Sequence, residues 1–550
     1  MIRSFHLPRG RRLRREHQRD AECPWYIQVH RAGKKVLRDY TKALAAGRQG
    51  SRRIAEIARF RFDRNHVSPA EEAGPRRDMS TELTEHTVPS MSLYTTAVSV
   101  VADSAPDSEA SSKRRAIYCA LLIFMAALAV RVLFFSIQSM HFPAAWSRTA
   151  PFWHDEMGDI AVNLAYGRGY SSPFGPGTTP TAWLCPLIPF LWALIIRCVG
   201  GATGHTALII AYVGTIPSAC CAVVYWLIAR HILRGRPQMQ RASLLVAAFF
   251  CFWPDALYRL DYPWYFAWQE LATAAMVLLG MKWIDRPSLK SVMPLGVVAG
   301  ILALINVTPM PVFPVLLLLP MLQNREAWKR TLSYASAGAF LALLITLPWI
   351  VRNALALHAF VPLRSNAGYQ LWEGNNPDGC IRETGTSRHP INQVEELQRY
   401  RRLGEAGYNR QGFHDAIFYM RFHPAQTAIR IGQRAYVMWL TDTLDQWSWN
   451  GTPYWKQGPS AVDRAMASTV PAWTLVILMI WAFLSKRLTA LPYKWVFISL
   501  LFFLPFPYYF TLAEDDYSQI LRSWLLLLVI LAFSGALASP GQRQNLRGES

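Results

Sequence analysis

The sequence predicts an all-α polytopic membrane protein, a bundle of about ten transmembrane helices with a re-entrant segment and two extracytoplasmic loop regions. Three observations predict it. Of the 550 residues 52% are hydrophobic and 17% charged, apolar runs of near-spanning length recur along the chain, and the basic residues gather in the short loops between them.

The runs are 116–137, 207–229, 241–256, 263–283, 291–306, 308–322, 331–351, 466–484, 493–511 and 518–537. A spanning helix needs about 20 apolar residues, so 241–256, 291–306 and 308–322, at 15 or 16 residues, are the shortest fits. Ahead of them, residues 1–78 hold 20 Lys plus Arg against 9 acids, 11 of the net +21. This stretch reads as a disordered cytoplasmic tail or an upstream extension, with Met79 and Met91 as alternative starts. Its Arg11, Arg12, Arg14 and Arg15 suit contact with phosphate or anionic lipid, and no nucleic-acid partner is expected. Residues 79–112 are acidic, Ser/Thr-rich and free of Lys and Arg, as in a linker. No cleaved signal peptide is evident, so 116–137 is expected to stay as an anchor.

Lys113, Arg114 and Arg115 before the first span place the N-terminus in the cytoplasm. If LCPLIPFLWALIIRCVG (184–200) spanned, the basic loops around Arg230–Arg241, Lys282–Lys290 and Arg325–Arg330 would all fall outside. As a re-entrant or interfacial segment it keeps them inside, together with Lys486, Arg487, Arg543 and Arg547. Both termini are then cytoplasmic, and two parts lie outside: the loop 138–206 within the module 113–351, and the region 352–465. Helices at 466–550 complete the bundle. The outer region carries GNNPDG (374–379), an amphipathic stretch near 394–420 and the aromatics Trp447, Trp449, Tyr454 and Trp455, suited to the membrane interface or to sugar stacking.

The eight cysteines show neither disulfide framework nor metal spacing. Cys220 and Cys221 read as small buried apolar residues rather than a redox pair.

Chemistry concentrates just after the first span, in FWHDEMGDIAVNLAYGRGYSSPFGPGTTPTAWLCPLIPF (152–190). Asp155, Glu156 and Asp159 have helical spacing, two acids on one face with apolar residues opposite, and GRGY stops the helix. A carboxylate at the mouth of a dry cavity can act as general base; the same acids on a solvated helix would do nothing. His154 has no second His spaced to join it, so no protein-ligated metal is expected and no cofactor is required, though a weakly held divalent cation fits. Glu270 is an intramembrane acid, a functional group or a helix tie paired with Arg259 or Arg131.

The run E-x-G-D-I-A-x-N-L-A-x-G-R-G-Y-S-S-P-F followed by T-P-T-A-W-L-x-P-L-I-P resembles the first external loop of bacterial glycosyltransferases of the multi-spanning C-type (GT-C) fold. Within that class it is most similar to the family 39 type, related to protein O-mannosyltransferases and lipid A aminoarabinose transferases. LPWIVRNALALHAFVPLRSNAGYQLWEGNNP (347–377) resembles the segment that ends a later span in these proteins. The resemblance covers about 116–537. It implies transfer of a sugar from a polyprenyl-phosphate carrier to a hydroxyl or amine of a glycan, lipid or protein, at the outer face of a bacterial inner membrane. It implies Glu156 as the base with Asp155 as rival, and Asp159 orienting the acceptor. Arg131, Arg352 and Arg259 are implied around the donor phosphate, since Arg suits growing phosphate charge. For Arg131 the alternative is snorkelling, and for Arg352 anchoring at the membrane end. Arg364, Asn375 and Tyr170 are implied as substrate-binding or structural. Where the family carries a basic turn before the last span, this chain has Glu514, Asp515, Asp516, Tyr517, Ser518 and Gln519, which disfavours a pyrophosphate-linked donor. The competing readings are a secondary transporter or flippase working through Glu270 and Arg131, and a catalytically silent scaffold.

Overall fold

The computed structural model describes residues 109–141, 153, 155–234, 240–258, 260, 264–323, 326–381, 388–440, 472–488, 491–513 and 515–534. The chain divides into two units, Met1–Asp103 and Ser104–Ser550, and every described residue belongs to the second. The basic stretch, most of the linker, His154, Arg259, Glu514 and the 447–455 aromatics lie outside them.

Apart from one isolated bridge between Ser171 and Pro180, the regular structure among the described residues is helical. In chain order the helices are α1 (Glu109–His141), α2 (Glu156–Ala165), α3 (Leu187–Val199), α4 (Gly204–Ile232), α5 (Gln240–Cys251), α6 (Pro254–Tyr258), α7 (Phe266–Asp285), α8 (Leu289–Ile305) and α9 (Val312–Gln323). They continue as α10 (Trp328–Leu357), α11 (Ala367–Gly374), α12 (Val394–Phe422), α13 (Pro424–Leu440), α14 (Ala472–Leu484), α15 (Lys494–Phe503), α16 (Phe506–Phe510) and α17 (Asp515–Phe533). Among the described residues, three stretches are long and apolar enough to cross a membrane: Arg114–Met140, Gly204–Ile232 and Trp328–Leu357. Leu122, Met140, Phe340 and Leu355 stand 64–77% exposed on α1 and α10. Such faces suit lipid and would be costly in water.

Other predicted spans are shorter than read. The apolar run 241–256 breaks after Cys251, where Pro254 cannot continue the ladder, and α6 begins there. The run 493–511 divides at Leu504 into α15 and α16, with Pro505 and Pro507 at the junction. α9, with 12 residues, is about 18 Å long against a hydrocarbon core of about 30 Å. α3 has 13 residues, starts after Pro186 and ends at Gly200, whose φ of 94° needs glycine. At about 20 Å it is also too short to cross.

α4 packs on α1, α5 and α7, α7 on α8, and α8 on α10. The α8–α10 crossing is close because it is built on small residues. A Cβ on Gly296 would fall 2.4 Å from the Gly338 carbonyl oxygen, and one on Gly338 would fall 2.6 Å from a Val292 methyl. Backbone cannot give way as a side-chain tip can. Gly296→Ala is expected to destabilise by roughly 1–3 kcal/mol or more, read as a lower unfolding temperature in detergent. At one side of this bundle α2 pairs with α3, and α11 packs on α12, which kinks at Gly404 (φ 68°, ψ 163°).

Candidate functional site

α2 begins where Asp155 caps it, its Oδ1 accepting from the Gly158 N–H at 2.6 Å. The acids therefore do not share one outward face. Asp155 stands outside the helix and is partly exposed, whereas Glu156 and Asp159 turn into the protein and are 7% and 9% exposed. The helix is buried on nearly every side, because α3 covers one flank and its own following loop another.

That loop is held by α2 itself. Asn163 donates to the carbonyls of Ser171, Ser172 and Gly175 at 3.0–3.2 Å, and its Oδ1 accepts from Arg168 Nε at 2.7 Å. Asp159 Oδ2 accepts from the Gly175 N–H at 2.6 Å. Gly167 and Gly169, both at φ 78°, make the reversal that a side chain would resist. Asp159 thus ties down the loop in this structure.

Glu156 sits in an aromatic chamber formed by Trp183, Phe174, Tyr369 and Tyr400 with His389. Its Oε1 accepts from Trp183 Nε1–H at 2.5 Å and lies 2.8 Å from His389 Nε2. The Ile391 N–H donates to His389 Nδ1 at 3.1 Å, which assigns the ring proton to Nε2 and points it at the carboxylate. Burial pushes this carboxyl up, but the His389 bond, the charge of Arg364 and the Trp183 bond outweigh it and leave Glu156 below the ordinary range.

Asp155 differs. Its Oδ2 accepts from Trp264 Nε1–H at 2.7 Å, yet burial dominates, the neighbouring Glu156 and Asp159 charges add to it, and the carboxyl is pushed up to about 7. Two adjacent acids are thereby driven apart by their surroundings, one held as an anion and one poised near neutrality.

Among the described arginines, Arg364 is the one whose charge acts on Glu156. It is partly exposed, donates through Nε to the Trp183 carbonyl at 3.2 Å, and is held firmly charged: the charges of Tyr265, Cys185 and Glu156 outweigh the opposing effect of burial. Arg352 braces the loop instead, donating to the carbonyls of Thr181 at 2.5 Å and Tyr170 at 2.7 Å with its guanidinium over the Trp349 ring. Tyr170 is buried and donates to the Leu184 carbonyl at 2.9 Å. Asn375 clamps α11 to α16 through the carbonyls of Leu371 and Phe510.

Arg131 and Glu270 lie elsewhere, within the helix bundle. Arg131, 1% exposed, donates to Ser218 Oγ at 2.7 Å and to the carbonyls of Ala127, Phe250 and Cys251, joining α1, α4 and α5. Glu270 on α7 accepts from Gln519 of α17 at 3.2 Å. Both therefore have the contacts of helix ties. Among the described residues no group of three or more His, Cys, Asp or Glu is placed to hold a metal.

Several side chains at the site escaped the sequence reading. Thr181 and Trp183 stand inside the TPTAW run, whose repetition in the resembling family was a signal. His389, Trp264 and Glu405 gave none. Glu405 reaches across from α12 to accept from the Thr181 hydroxyl, the Ala182 N–H at 2.7 Å and the Tyr400 hydroxyl at 2.9 Å.

No family model matches the chain, and no curated protein does. A solved structure, that of ArnT from Cupriavidus metallidurans in the apo state, is similar at 13% sequence identity and a TM-score of 0.31, covering 76% of this chain and 78% of that one. A likeness so distant identifies neither a family nor an activity.

Proposed function

We propose that the protein is a membrane glycosyltransferase of the C-type fold that moves a sugar from a polyprenyl-phosphate donor to an acceptor hydroxyl or amine at the extracytoplasmic face. One observation carries the reading. The two sequence runs that resemble this class, 156–189 and 347–377, are far apart in the chain and meet beside the acid pair. Ser365 N–H donates to the Ala182 carbonyl at 2.8 Å, Arg364 to the Trp183 carbonyl, and Arg352 to those of Thr181 and Tyr170. A chance resemblance in two loops would not be expected to converge on one pair of carboxylates.

In this reading Asp155, rather than the Glu156 favoured by motif position, takes the acceptor's proton. A base works best with a pKa near the operating pH, and Asp155, pushed up to about 7, is partly exposed where Glu156 is buried. Glu156 orders the chamber and keeps Arg364 charged beside it. Arg364 stabilises the departing phosphate, where a guanidinium meets growing negative charge. No step requires a metal from the described residues. The commitments of Arg131 within the bundle favour this reading over a transporter with a midplane site.

The test is transfer of labelled sugar from polyprenyl-phosphate donors in membranes containing the protein. Label should reach an acceptor with release of polyprenyl phosphate, and a panel of such donors that all remain intact would overturn the reading. The pH dependence follows from the sign of the Asp155 shift. The active form is the anion, so kcat/KM should rise about tenfold per pH unit below about 7 and level off above it.

A further inference from the structure

At the opposite end of α1 from the one leading to Asp155, the structure holds a cavity of ≈ 620 Å³ between α1, α4, α5 and α7. Five basic side chains line it: Arg115, Arg230, Arg234, Arg241 and Lys282. No lining residue is acidic. The nearby Asp285 is engaged by Arg234 at 2.5 Å, by His231 at 3.0 Å and by the Tyr493 hydroxyl at 2.5 Å, so it neutralises only part of this charge. Arg230 lies over the Trp226 ring at 5.3 Å, which leaves its guanidinium edge for another partner.

Gathering like charges costs free energy unless an anion is shared among them. The walls say what kind. Arg115, Cys119 and Leu122 follow at i, i+4 and i+7 on α1, so the cavity wall runs on as an apolar stripe with Leu122 70% exposed. Arg241, Leu244 and Leu245 repeat the order on α5, the two leucines 45% and 49% exposed. Cations at the helix ends followed by bare apolar rails match a molecule with an anionic head and an acyl tail. A free anion would use the first and leave the second without purpose.

We propose that this cavity binds the headgroup of an anionic phospholipid of the cytoplasmic leaflet, its phosphate among Arg230, Arg241 and Lys282 and its acyl chain along α1 and α5. The site is independent of the transfer reaction. It lies about 39 Å from the far end of α1, at 1.5 Å per residue between Arg115 and His141.

The experiment uses the full chain in neutral detergent, with phosphatidylglycerol, phosphatidylcholine and inorganic phosphate as probes, read by native mass spectrometry and by the shift in unfolding temperature. Phosphatidylglycerol should be retained and should raise the unfolding temperature, with phosphatidylcholine and phosphate far behind. Arg241→Gln together with Lys282→Gln, both at exposed positions, should weaken phosphatidylglycerol binding roughly 25-fold, about fivefold for each charge. If the double variant does not fold, each single change carries the same test. Equal retention of the two lipids, equal effect of inorganic phosphate, or an unchanged preference in folded variants would overturn the proposal.

Discussion

Asp155→Asn is expected to lower sugar transfer about 10²–10⁴-fold, the usual range for loss of a general base. The fold should survive. Asn is also a good helix cap, and the exchange loses at most one of the two bonds that the carboxylate accepts from Gly158 and Trp264, about 1–2 kcal/mol. The residual rate should no longer rise through neutrality, because the titrating group is gone. That pH signature separates a proton acceptor from a residue that only shapes the loop. Retention of full activity in this variant would remove Asp155 from the mechanism.

The second large effect concerns stability. Glu156→Ala leaves the Trp183 and His389 N–H groups buried without their acceptor, at about 1–3 kcal/mol each. A loss of roughly 2–6 kcal/mol is expected, visible as a lower unfolding temperature. Glu156→Gln should cost much less, because both bonds end on the same oxygen and an amide oxygen can take its place. The pH dependence has a definite sign. Glu156 titrates below its ordinary range when folded, so its contribution is complete above the unfolded value and is lost as pH falls through the folded one. Wild type should therefore lose stability in acid faster than Glu156→Gln. Equal acid sensitivity would mean that the His389 contact does not hold the charge.

The helical class and the position of most apolar helices were legible from hydropathy, since lipid-compatible length is a local property. Their ends were less so: Pro254 and Pro505 cut two runs that composition alone leaves continuous. The acid-bearing loop was legible too, as a short helix opened by Asp155 and closed by the turn at Gly167.

What the sequence by itself determined is which residue types stand where: apolar runs long enough to build helices, and three acids beside a loop of turn residues. Only the tertiary structure decided what each acid does. Against the effect of burial, a histidine 233 positions away, the charge of Arg364 and a tryptophan from α3's leading loop hold Glu156 as an anion, while Asp159 is taken up by Gly175 and Asp155 is left near neutrality. A carboxyl's protonation is set by the groups within a few ångströms of it, and in this chain those groups come from distant segments that only folding brings together.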